Sequence, residues 1–261
     1  MDSSMWIAKT GLDAQQMRMS VISNNLANVN TTGFKRDRAL FEDMLYQNVH
    51  QPGAQVSADN QSPTGMLIGT GVRIVSTEKT HTQGNMITTK NALDLAIQGE
   101  GFFQIAQNDG TVAYTRDGSF KLSAAGQLVT ANGALLQPAL AIPQNVASIA
   151  VGQDGTVSVE LANGGGSQVI GQLQLARFVN PTGLQAIGQN LLKETQASGA
   201  PQVSQPGLTG TGQILQGALE ASNVNVVEEM VNMIETQRAY EISSKAISAV
   251  DGMLRFLNNN M

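Results

Sequence analysis

The chain has 261 residues and a formal net charge of −5, from 15 Lys and Arg against 20 Asp and Glu. It contains no cysteine and two histidines, His50 and His81. That length allows one large domain or two modest ones, the missing thiols exclude disulfide scaffolds, Cys-ligated metals and thiol nucleophiles, and the acidic balance argues against a nucleic-acid partner.

At the N-terminus, Met5, Leu12, Met19 and Leu26 recur every seven residues, as do Ala8, Gln15, Ile22 and Val29. Interleaved, the two series step by three and four, the stripe of an α-helix. About 27 residues at 1.5 Å each predict a helix of roughly 40 Å. Thr31-Thr32-Gly33 reads as its exit, with Gly33 able to take a positive φ. The basic cluster Lys35-Arg36-Asp37-Arg38 reads as a solvated face, or as a partner for acids of the C-terminal helix.

Residues 46–63 are polar and broken by Gly and Pro, which predicts a loop or extension. From about 67 to 195, short apolar runs alternate with turn dipeptides. Asp-Gly occurs at 109–110, 117–118 and 154–155, and Asn-Gly at 132–133 and 163–164. Such pairs tolerate the positive φ of tight hairpins. Strand-like runs lie at 95–97, 102–105, 127–129, 156–159 and 172–175. Residues 196–217 return to Gly, Pro, Ser and Gln.

The C-terminal region repeats the seven-residue rhythm through Val226, Met233, Tyr240, Ile247 and Leu254. It predicts a helix of about 34 residues, roughly 50 Å long. Ser222-Asn223 offers N-cap chemistry, and Glu228 and Glu229 fall where the helix dipole favours acids. A second stripe runs through Ile242, Ala246, Ala249, Met253 and Phe256, with Met230, Val231 and Ile234 near the start. One partner helix cannot cover so much apolar surface, so a strip is expected to face another protein. Amides in or near the stripes (Gln15, Gln237, Asn24, Asn25, Asn28, Asn30) are candidates for setting register.

The expected fold is α+β: an antiparallel coiled-coil pair of terminal helices carrying a central, turn-rich antiparallel β body. Residues 1–45 and 218–261 form the helical domain, 46–63 the polar extension, 64–90 and 196–217 a connecting β domain, and 91–195 the outer β domain. The expected self-assembly residues are Leu12, Met19, Ile22, Leu26, Val226, Met233, Tyr240, Ile247 and Leu254.

No catalytic set converges in the sequence. Asp109, Asp117 and Asp154 each precede Gly and read as turn formers, without the alternating oxygen ligands and closing Glu of a Ca²⁺ loop. Gly99-Glu100-Gly101 and Gly164-Gly165-Gly166 lack the helix and Lys-Ser/Thr of a phosphate cradle. His50 sits in polar sequence and His81 among Thr and Gln, neither with a triad partner. The expectation is no catalytic residue, no cofactor, no metal, no nucleic acid and no membrane insertion. No apolar run approaches the roughly 20 residues of a spanning helix, and no cleavable signal is visible.

The stretch Asn24-Asn25-Leu26-Ala27-Asn28-Val29-Asn30-Thr31-Thr32-Gly33-Phe34-Lys35-Arg36 resembles the N-terminal signature of bacterial flagellar rod and hook proteins. Ser222-Asn223-Val224-Asn225-Val226, Glu228-Glu229-Met230 and Gln237-Arg238-Ala239-Tyr240-Glu241 resemble the C-terminal one. The opening 7–16, with Phe41-Glu42-Asp43, Gln51-Pro52-Gly53-Ala54-Gln55 and Tyr114-Thr115-Arg116-Asp117-Gly118-Ser119-Phe120, is most similar to subunits of the distal rod. The resemblance implies helical self-assembly around an axial channel, with the β body outside. It implies a rod crossing the periplasm and transmitting torque, inside the P- and L-ring proteins and between proximal rod proteins and the hook. It further implies delivery by the flagellar type III export apparatus without a cleaved signal, and a stiffening role for the segment at 46–63. The alternatives are another rod subunit, a short hook protein, or a carbohydrate-binding β domain flanked by helices. The last would want aromatic platforms, and the chain has one Trp, at position 6.

Overall fold

In the computed structural model, residues 3–259 are described apart from 54, 58–59, 62–63, 108 and 163–165. Two compact units result: residues 1–26, 37–78 and 225–261, and residues 27–36 and 79–224.

The larger unit is built of β-strands, with a single 3-10 turn at Pro181–Gly183 among its described residues. Its main sheet has nine strands, running Lys121–Leu122, Leu128–Val129, Leu135–Gln137, Phe102–Ala106, Val112–Thr115, Leu191–Lys193 and Gln185–Gly188, with Leu175–Arg177 and Gln202–Ser204 joined off that path. Its strands pair antiparallel, and the Phe102–Ala106 and Val112–Thr115 hairpin aligns Ile105 with Ala113 and Phe103 with Thr115. The strands Val146–Val151, Thr156–Leu161 and Ser167–Gln172 form a second, three-stranded sheet. Gln213–Gln216 returns from late in the chain to pair with Leu95–Gln98, and Ala218–Glu220 pairs with Met86–Thr88.

Successive strand residues point to opposite faces, and both faces of Phe102–Ala106 are covered. Phe103 and Ile105 enter a core with Leu95, Ile97, Phe120, Leu136, Val157, Leu175 and Ile214. Phe103 meets Phe120 edge-on at 5.1 Å between ring centres. Phe102 enters a smaller cluster with Tyr114, Phe178, Leu184 and Leu192.

Asp109-Gly110 and Asp154-Gly155 make turns, as their sequence predicts, while Asp117-Gly118 forms none. Asp109 Oδ1 accepts bonds from the Thr111 amide at 2.9 Å and hydroxyl at 2.6 Å, and Asp154 does the same for Thr156 at 3.1 and 2.7 Å. These bonds hold both carboxyls below the usual Asp range. Gly118 is needed for a different reason, because a Cβ there would meet the Leu95 carbonyl oxygen at 1.5 Å. The Asn163-Gly164 turn lies outside the described residues.

The smaller unit holds both long helices, α1 (Ser3–Ala27) and α2 (Val226–Asn259). Between them in sequence, Asp37–Asp43 pairs with Val72–Lys79. The Arg38 and Glu78 side chains cross that pair, as do Arg73 and Glu42 at 2.8 Å. The N-terminal 45 residues are therefore not all helical. The stretch expected as a loop also departs from its prediction. Gln47–His50 pairs with Met66–Ile68, and Gln55–Ser57 with Asn60–Gln61. Gln47–His50 is exposed at every residue, so no buried side demands apolar alternation there, and its sequence reads as loop.

The cap of α2 differs from expectation as well. Asn225 Oδ1 accepts from the Val227 amide at 3.1 Å. Asn223 instead straps neighbouring chain segments: its Oδ1 accepts from the Arg36 amide at 2.7 Å, and its Nδ2 donates to the Thr80 carbonyl at 2.8 Å. Gly33 has φ +67°, but it lies beyond the helix exit. Its amide donates to the Glu220 carbonyl at 2.8 Å, and a Cβ would meet the Asp117 amide nitrogen at 2.6 Å.

Candidate functional site

The seven-residue stripe of α1 is its sheltered side. Met5, Ala8, Leu12, Gln15, Met19 and Leu26 are half-buried, and Ile22 is buried. A second sheltered line passes through Thr10 and Ala14, and Thr10 Oγ1 accepts a bond from the Val72 amide at 3.4 Å.

On α2 the sheltered line runs through Val226, Glu229, Asn232, Met233, Thr236, Ala239, Ser243, Ile247 and Val250. Most of its members are small or polar. Tyr240, expected on this line, is exposed, and the side chain of Leu254 lies outside the described residues. The opposite side carries Val227, Val231, Ile234, Ile242, Ala246, Ala249, Met253 and Phe256, all exposed and spaced three, four or eight residues apart. Ile242 is 68% exposed, Met253 66% and Phe256 69%. A ridge of that size in water is the mark of a protein interface.

Where α1 ends, polar atoms take over. Asn25 is buried, and its Oδ1 accepts from the Asp37 amide at 2.9 Å. Its Nδ2 donates to the Asp37 carbonyl at 2.9 Å and to Glu229 Oε2 at 3.4 Å.

The β unit has a buried charge cluster that the sequence reading missed. Lys35, expected in a solvated face or paired with an acid of the C-terminal helix, is 4% exposed, and its Nζ donates to Glu220 Oε1, ahead of that helix, at 2.5 Å and to the Thr82 carbonyl at 2.8 Å. Glu220 also accepts from Arg116 at 3.3 Å and from the Gly84 amide at 2.9 Å. Arg116 donates on to the Gly99 carbonyl at 2.7 Å. Burial lowers the pKa of both cations, and the Glu220 carboxylate opposes that fall. Lys35 and Glu220 are 185 residues apart, so no local pattern announces the pair. The signal available was Glu220 standing among Ala218, Leu219 and Ala221, an acid in an apolar run.

His81 lies near this cluster and packs edge-on against Phe102 at 5.6 Å. Burial pushes its pKa down to about 4, helped by Lys35, Arg116 and Lys79. A cleft of about 250 Å³ borders Phe34, Lys35, Lys79, Arg116, Asn190 and Leu192. Among the described residues no group of three His, Cys, Asp or Glu could hold a metal ion, and no helix is long and apolar enough to cross a membrane.

Residues 5–35 match the family described as flagella basal body rod protein, 96–159 the D1 domain of flagellar hook protein FlgE/F/G, and 215–260 the C-terminal region of the basal body rod FlgEFG protein. The chain belongs to the flagellar basal-body rod protein family, whose members are structural proteins and not enzymes. Within it, the chain is 54% identical to flagellar basal-body rod protein FlgG of Buchnera aphidicola (subspecies Acyrthosiphon pisum) over 98% of both chains. In Caulobacter vibrioides it is 48% identical to FlgG over 95% of both chains, and 34% identical to FlgF over 94% of this chain and 92% of that one. Two rod proteins of one organism thus place the chain on the FlgG side.

Proposed function

We propose that this chain is a subunit of the distal rod, built by helical stacking of identical copies around an axial channel and serving as the shaft that carries torque towards the hook. The observation that carries the reading is the exposed apolar ridge of α2. A heterologous contact that does not close generates a helical filament, and this ridge lacks a counterpart on its own sheltered line. In this reading α1 and α2 pair along their sheltered sides as a coiled coil. Leu12, Met19, Ile22, Leu26, Val226, Met233, Ile247 and Leu254 serve that pair and its contacts with neighbouring copies, and Tyr240 serves a neighbour directly.

The further partners are proximal rod proteins on one side and hook-side proteins on the other, with the P- and L-ring proteins around the shaft where it crosses the periplasm. Export through the flagellar type III apparatus, without a cleaved signal, completes the reading. Long helices that lack partners are marginal in water, which suits a chain that must be threaded before it assembles. The segment 46–63 acts on shaft stiffness.

Ile242→Asp and Met253→Asp place a charge on the ridge without touching a buried side chain. Each variant is expected to fold and be exported but to leave cells without a complete rod, scored by microscopy of isolated basal bodies. Full-length rods and normal swimming with both substitutions would overturn the assignment of the ridge. Deleting 48–61 is expected to change the bending of assembled rods while the β unit folds unchanged.

A further inference from the structure

We infer that Asn25 and Glu229 pin the axial register of α1 against α2, an inference that rests on the proposed pairing of the two helices. Asn25 sits in the last turn of α1 and Glu229 in the first turn of α2, and both are nearly inaccessible to water. Asn25 has two jobs. Its Oδ1 and Nδ2 bracket the Asp37 amide and carbonyl, which fixes the amide plane, and that plane then aims Nδ2 at the Glu229 carboxylate. The orientation of the donor is set by backbone, so the pair is not free to reseat one turn away.

A bond between the end of one helix and the start of the other specifies every pairing that follows. For antiparallel helices, each step back along α1 is a step forward along α2. From the Asn25–Glu229 contact, Ile22 comes opposite Asn232, Arg18 opposite Thr236 and Gln15 opposite Ala239. Over these turns each of the six positions is sheltered on its own helix. On this stretch the two lines of shelter, read independently on the two helices, agree with the register that one polar contact dictates.

The seam explains why a pin is needed. On α2 it presents Asn232, Thr236, Ala239 and Ser243, small or polar groups that interlock poorly and would tolerate a slip of one turn. A buried polar pair discriminates against such slips, because any other alignment leaves its members desolvated and unbonded. Asn25 and Glu229 are thus positioning residues for the rod contact, since the register decides where the exposed ridge of α2 falls along α1.

The absence of cysteine makes the test direct. Gln15→Cys with Ala239→Cys reports the pinned register, and Gln15→Cys with Ser243→Cys, or with Glu235→Cys, reports a slip of one turn in either direction. Each double variant is expressed as a minority beside the unmodified chain, so that in isolated basal bodies an oxidised link forms within one copy. The 15–239 pair is expected to link and the two slipped pairs are not. Adding Asn25→Leu or Glu229→Leu is expected to lower the 15–239 yield about five-fold relative to the slipped pairs, the effect of one lost hydrogen bond. Glu229→Gln keeps an acceptor and is expected to restore the yield. A 15–239 yield unmoved by Asn25→Leu, or equal linking at all three registers, overturns the pin while leaving the helix pair standing. Links in none of the three overturn the pairing itself, and the pin with it.

Discussion

The two units of this chain use similar apolar residues in opposite ways. In the β unit, Phe103, Ile105, Leu175 and Ile214 are sealed from water, and even its charged residues Lys35, Arg116 and Glu220 are buried together. In the helical unit, the apolar side chains that are fully buried among the described residues are Ala14 and Ile22, while Val227, Met230, Val231, Ile234, Ile242, Met253 and Phe256 stand in solvent. At roughly 25 cal/mol per Å² of apolar surface removed from water, the first unit has the means to hold itself together and the second is still waiting for its stabilisation. The lesson is that folding and assembly are assigned to different stretches of one chain. Substitutions should therefore separate them.

The largest separation is expected at Glu220. Glu220→Leu strands Lys35 and Arg116 in the interior, which costs about 3–5 kcal/mol. Urea denaturation of the full chain, followed by circular dichroism, should show the β transition at much lower urea with the helical signal changed less.

His81 offers a smaller, pH-dependent test. Its folded pKa of about 4 lies below the ordinary 6.5, so between these values the unfolded chain takes up a proton that the folded chain refuses. Stability is full above about pH 6.5, falls as pH drops towards 4, and levels below it. The contribution is about 3 kcal/mol. His81→Phe keeps a ring against Phe102 and should remove this component, seen as a flatter profile of urea midpoint against pH than the unmodified chain gives.

Asn225→Ala removes the cap of α2 and should cost about 1 kcal/mol of local stability. Faster amide exchange confined to Val227–Glu229 would register it, with the β unit unaffected. The smallest subunit effect belongs to the ridge itself. Ile234→Ser should shift the urea midpoint by less than about 0.5 kcal/mol equivalent while lowering the yield of assembled rods, which would be the clearest sign that the two tasks are separable.

Features that depend on near neighbours in sequence were legible. Both helices, the stripe on α1 and the Asp109 and Asp154 turns follow from spacing and side-chain chemistry within a few residues. The apolar ridge on α2 was also legible, because a helix displays its whole circumference in its sequence. Tyr240 shows the limit of a strict seven-residue count: Met233 and Ile247, one heptad to either side, are sheltered, but between them the sheltered line of α2 passes through Ala239 and Tyr240 is exposed. What distant segments supply was not legible. Lys35 looked solvated because Glu220 arrives 185 residues later, and Asn223 looked like a cap because its strap reaches Thr80, 143 residues away. The pairing of Asp37–Asp43 with Val72–Lys79 went unseen for the same reason.

The strand Gln213–Gln216 pairs with Leu95–Gln98, and Ile214 fills the space beside Ile97. A chain delivered from its N-terminal end therefore cannot close its interior until some four-fifths of it has emerged. Under the proposed export, Ile214 and then Glu220 would be the last arrivals and act as the keystone. The order of delivery would then serve as a timer, with rigidity coming late, when the C-terminal helix is the next segment to appear.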